Sequence, residues 1–178
     1  MNREQYLAAL TYCYKVETAG AIAGEAAMLL REDPSEKRKL DVFRRLEASN
    51  KTLCAAALQR EGVARPTVEA AYYRAGYRLG QKFGDGDWQA FLDRFEATLH
   101  PEVFLAYVID GDGNEIVHEY HGVDTELMAH LVAHERSLES FLDAERNNNE
   151  EDSTRAMKTL LDSPRCAGLV GPADPVGW

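Results

Sequence analysis

The chain has 178 residues, 45% of them hydrophobic, enough to bury one core in a compact domain followed by a tail. Thirty acidic against 20 basic side chains leave a formal net charge of -10 with no Lys/Arg run, so the long-range field repels phosphate backbones and argues against nucleic acid as a partner. Cys13, Cys54 and Cys166 share no metal-like spacing, and MNREQYLAAL holds no apolar stretch of signal or membrane length, which predicts a cytoplasmic protein with free thiols and no membrane association.

From Arg3 to Arg31 there is no proline, and Tyr6, Leu10, Cys13, Glu17, Gly20, Gly24 and Met28 recur at helical spacing. REDPSEKRKL stops this helix and starts a second: Asp33 suits the N-cap, Pro34 the first helical position, and Glu36 the third, as in a capping box. The second helix runs to about Glu61, where Gly62 ends it. Pro66 opens a shorter helical stretch, TVEAAYYRAGYRLGQKF, whose glycines weaken it in isolation. GDGDW is a turn with a fresh N-cap, after which Trp88, Phe91, Leu92, Phe95 and Leu99 mark another apolar helix face.

Two readings compete for HPEVFLAYVIDGDGNEIVHEYHG: a helix to about Ile109 followed by a long loop, which is preferred, or a hairpin around the Gly/Asp/Asn turn. Asp124 or Thr125 caps the next helix, which runs to about Arg146, and a short helix follows near 153 to 162. SPRCAGLVGPADPVGW has no period and reads as a loosely packed extension. The expected fold is all-α: an antiparallel four-helix bundle with additional short helices over residues 1-150, then a short helix and irregular tail over 151-178.

A step of about 100° per residue places each polar side chain against the apolar arc of its own helix. Glu17 falls within roughly 20° of the centre and Glu25 about 60° off, while Asn50 is nearly central and Glu47 about 40° away. If the helix beginning at Trp88 continues through Pro101, Glu102 lies about 40° from its apolar line and Glu96 about 80°. On the last long helix His134 is about 40° from the centre, Glu135 about 60° and His130 about 80°. Residues equally distant from the Asp33-Pro34 turn should face one another. Glu17 and Glu47 then differ by roughly 4.5 Å in axial level, and Glu25 and Glu47 by about 7.5 Å, so Glu17 is the better partner. Facing carboxylates in a bundle core must share protons, meet cations or bind a metal, and carboxylate with imidazole suits iron or manganese, with zinc as an alternative.

AGEAAMLL at 23 to 30, LEASNKTLCAAALQREG at 46 to 62 and LVAHERSLESFLDAE at 131 to 145 give the chain, over about residues 3 to 148, a pattern that resembles the ferritin-like superfamily. The resemblance implies a bundle holding two irons through a Glu from each of two helices and Glu-x-x-His from the other two. Carried over, it makes Glu17 or Glu25 the first-helix ligand, Glu47 the acidic member of the second, Glu102 or Glu96 the third, and His134 the imidazole of the fourth. Asn50 stands where that motif has His, and Leu131 where it has Glu. The set therefore suits one metal, or two with Glu135 or His130 recruited from the edge. It also implies a non-haem oxidoreductase acting on a small organic substrate in the core.

The competing expectation is a metal-free bundle used for protein association or small-ligand binding, with Glu17, Glu47, Asn50 and His134 as a buried polar network. A homodimer is compatible with either. HLVAH lacks the Glu that zinc proteases place directly after the first His, and the Asp110-Asp112-Asn114 turn has Glu115 and His121 where a calcium loop needs Gly and Glu. Cys13 and Cys54 read as small core residues.

Overall fold

The computed structural model describes residues 1–99, 118–147 and 153–169. Among them are six helices and no strand: α1 (Arg3–Leu30), α2 (Pro34–Arg60), α3 (Ala70–Gly84), α4 (Trp88–Glu96), α5 (Thr125–Arg146) and α6 (Arg155–Leu161). The chain is thus all-α over the described residues. No helix there is long and apolar enough to cross a membrane.

Local chemistry sets most of the helix ends. Asn2 and Gln5 form a capping box at the start of α1. Asp33 accepts hydrogen bonds from the amides of Ser35 and Glu36 to open α2, although the Glu36 carboxylate reaches Arg31 at 3.4 Å. At the other end Gly62 adopts φ +76, and the amides of Gly62 and Val63 close onto the carbonyls of Gln59 and Leu58, a Schellman stop. Asp87 and Asp124 cap α4 and α5 through the amides of Ala90 and Leu127.

Two expected boundaries move. Helix α3 begins at Ala70 rather than just after Pro66, because Arg65 donates to Tyr14 Oη and Lys15 pairs with Glu69, both at 2.6 Å, tying the preceding stretch to α1. Helix α4 ends at Glu96, and Thr98 and Leu99 turn back onto Phe95 and Glu96 instead of extending the helix towards Pro101. The choice between helix and hairpin for 103-121 falls largely on residues 100–117, outside the described residues, as does Glu102.

Helices α1 and α2 are antiparallel about the Asp33-Pro34 turn. Helix α3 then runs alongside α1 in the same direction, Gly76 against Ala19 and Gly80 against Ala23. A Cβ at Gly76 would lie 2.5 Å from the Ala19 carbonyl oxygen, so the glycines that weaken α3 in isolation allow its close approach. Helix α5 is antiparallel to α2, with His134 at Glu47 and Glu145 at Lys39.

Among the described residues the core has two large apolar parts, with Ala21 and Ala48 forming a small third one. One is aromatic, with Phe43, Phe83, Phe91, Phe95 and Phe141 packed mostly edge-to-face. The other gathers Tyr6, Leu10, Cys13, Cys54, Leu58, Leu127 and Leu131. Along α1, α2 and α5 the buried polar residues Glu17, Glu47, Asn50 and His134 fall between these two large parts, and His130 lies at the level of the second.

Candidate metal centre

Each of the three long helices brings one inward titratable side chain to the same level. Glu17 of α1, Glu47 of α2 and His134 of α5 are 1%, 5% and 1% exposed, and one ligand atom from each lies within 4.8 Å of the others. His134 Nε2 is 3.0 Å from Glu47 Oε1, and His134 Nδ1 is 3.5 Å from Glu17 Oε1. The second contact lacks hydrogen-bond alignment: Glu17 Oε1 and His134 Nδ1 have no hydrogen-bond partner among the described residues. The two atoms face one another as an ion pair without a well-aligned hydrogen bond, an arrangement in which a cation could replace the proton between them.

The remaining candidates separate. Glu135 is 8% exposed with Oε1 3.7 Å from His134 Nδ1, next to the trio. His130 points elsewhere: its Nε2 is 2.9 Å from Asn50 Oδ1 and 3.5 Å from Cys166 Sγ. Asn50 Nδ2 in turn donates to Glu17 Oε2 at 3.4 Å, so His130 supports the trio through Asn50 instead of joining it. Glu25 is half-buried, and the cluster that can hold an ion does not include it, because two helical turns separate it from Glu17. Glu96 pairs with Arg146 at 2.6 Å on the surface.

Two features escaped the sequence reading. Gly20 is equidistant with Glu47 from the α1-α2 turn, and a Cβ there would lie 2.6 Å from Glu47 Cδ and 3.2 Å from its Cγ. The missing side chain is the space that Glu47 occupies, a relation the same axial argument contained. Gly20→Ala should therefore displace the carboxylate and cost about 1–3 kcal/mol in overpacking, read as a lower urea midpoint. An unchanged midpoint would refute the cradle.

The second feature is a cavity of about 180 Å³ beside the trio. Glu17, Glu47, His134 and Glu135 line one part, and Phe43, Phe83, Phe95 and Leu138 line another. It lies below the roughly 300 Å³ at which drug-sized sites begin, so it suits a small molecule.

Burial and the two carboxylates compete over the protons of the trio. Burial works against a charged His134, yet Glu17 and Glu47 together hold its pKa well above the ordinary value. Glu47 is also pushed well up, first by burial and then by Glu17, with His134 pulling the other way. His130 is lowered to about 4 by burial, with the charges of His134 and Arg165 adding to it.

These shifts predict a pH dependence for the protein prepared without metal. A raised His134 stabilises the fold fully below its unfolded value of about 6.5, and that contribution is lost as pH rises through the folded value. Glu47, raised from 4.5, acts with the same sign above that pH. His130 acts oppositely, its contribution being present above 6.5 and lost as pH falls towards 4. The urea midpoint should fall as pH rises above about 6.5, and His134→Gln should flatten that limb. A midpoint that climbs there would contradict the assignment.

No family model, no curated protein and no solved structure matches this chain.

Proposed function

We propose that the chain is a ferritin-like helical bundle that holds iron or manganese through Glu17, Glu47 and His134, with Glu135 beside them, and oxidises a small organic substrate in the adjoining cavity. One observation carries the reading: a buried Glu-Glu-His group, its ligand atoms within 4.8 Å of one another, borders a cavity with an apolar wall. The antiparallel pairs α1–α2 and α2–α5, joined through a long connection between α2 and α5, are compatible with a bundle that has one long crossover, and this supports the reading.

Bound at this position, iron or manganese would supply a redox centre able to reduce dioxygen. The chain's own residues define its surroundings. Glu17 and Glu47 balance the charge of a divalent cation, and binding it releases the proton the trio otherwise shares, so affinity should rise with pH. Asn50, held by His130, orients Glu17, the outer support that metal ligands need. Phe43, Phe83 and Phe95 give the cavity an apolar wall.

The test is metal content. Purified protein reconstituted under nitrogen with ferrous or manganous salt and desalted should retain about one equivalent, and retention below about a tenth of an equivalent would remove the proposal.

The His130-Asn50-Glu17 chain and the His134-Glu47 bond favour a second reading, in which a metal-free polar network specifies the packing of a ligand-binding or protein-binding bundle. The two readings part at Glu47→Gln, which should lower metal retention only if the first holds.

A further inference from the structure

Cys13 and Cys54 oppose one another across α1 and α2, one turn from the proposed metal centre. Cys13 precedes Glu17 by four residues and Cys54 follows Asn50 by four, and Glu17 and Asn50 are hydrogen-bonded at 3.4 Å. The antiparallel register carries that pairing one turn along and sets the thiols face to face. Both are free, fully buried and members of the same apolar cluster. Contact with the Cys13 thiol, followed by burial, pushes the Cys54 thiol well up, and full burial shields both from bulky external oxidants.

Core packing alone does not call for sulfur at both positions. A pair of thiols, unlike two alanines, can deliver two electrons and two protons.

We propose that Cys13 and Cys54 are an internal two-electron donor for dioxygen reduction at the Glu17-Glu47-His134 centre, closing to a disulfide when spent. The inference rests on the metal-centre reading given above. In the simplest balance two S–H bonds break, one S–S bond forms, and dioxygen takes two electrons and two protons to leave as hydrogen peroxide. With an oxidisable C–H compound in the cavity, the same two electrons and protons turn one oxygen atom into water while the other enters the C–H bond as a hydroxyl group. Cys166 stands against His130, and the antiparallel register gives it no opposing cysteine, so it serves as an internal control.

The experiment loads the full chain with ferrous iron under nitrogen, removes unbound metal, measures bound iron and then admits dioxygen. Thiols are counted under denaturing, non-reducing conditions, and the peptides carrying Cys13 and Cys54 are examined by mass spectrometry. The expected result is a fall from three thiols to one, with a Cys13–Cys54 cross-linked peptide about 2 Da below the sum of its thiol forms. Protein exposed to dioxygen without iron should keep all three. Cys166→Ala should lose both of its thiols, whereas Cys54→Ala, or Cys54→Val if the smaller side chain destabilises the core, should bind iron and keep its Cys13 thiol.

Bound iron with three surviving thiols would overturn the inference and leave the metal reading standing. Loss of Cys166 in place of the pair would overturn it too. Failure to retain iron, measured before dioxygen is added, would overturn both.

Discussion

If Glu47 is the direct ligand proposed above, Glu47→Gln is expected to lower iron or manganese affinity by at least about a hundredfold, since even the outer partners of metal ligands are worth 10–100-fold. The change preserves side-chain volume and removes one charge from a site where Glu17, Glu47 and His134 are almost wholly buried. It also relieves the carboxylate repulsion that, after burial, raises the Glu47 pKa. In the metal-free protein, stability should therefore change little, because an amide oxygen can still accept from His134 Nε2. Metal retention after desalting and the urea midpoint, measured on the same sample, separate the two effects. If both proteins hold equal metal, Glu47 is not a ligand; if neither holds any, the polar-network reading gains.

Phe83→Ala should cost about 3–5 kcal/mol of stability. The ring is 1% exposed and meets Phe91 and Phe95 edge-to-face at centroid distances of 5.5 and 5.6 Å. Such a loss is a large share of the roughly 5–15 kcal/mol available to a domain and corresponds to a drop in Tm of about 10 °C at this size. Because Phe83 also lines the cavity, the truncation should enlarge the space beside the trio. Leu29→Ala makes the control: Leu29 is 74% exposed, so its removal should stay within about 0.5 kcal/mol. A thermal or urea unfolding series on the three proteins tests the ranking, and equal losses at Phe83 and Leu29 would contradict the described core.

The helices and their inward residues were legible in the sequence because their causes are local. Apolar spacing marks α1, α2 and α5, and Asp33, Asp87 and Asp124 cap helices where their side chains reach the free amides. Helical phase alone turned Glu17, Glu47 and His134 inward, and the structure brings those three together. Phase and axial level placed Glu25 behind Glu17 and His130 at the helix edge, but did not identify the partners they meet, since phase describes one helix and not its neighbour. The α4 end at Glu96 was missed for a related reason: apolar spacing reaches Leu99, but the backbone turns back after Phe95.

What only the tertiary structure decided is how closely the helices approach and which side chains then meet. The turn at 31–33 sets Glu17 opposite Asn50 and Glu47 opposite Gly20, so a missing side chain on one helix becomes the seat of a carboxylate from the next. Gly76 and Gly80 bring α3 onto α1, and Phe83 of α3 with Phe95 of α4 supplies the wall that makes a cavity beside the trio. The sequence by itself determined which side chains face inward, because that follows from 3.6 residues per turn. Which of them meet depends on how closely separate helices can approach, and that is set by residues distant in the chain.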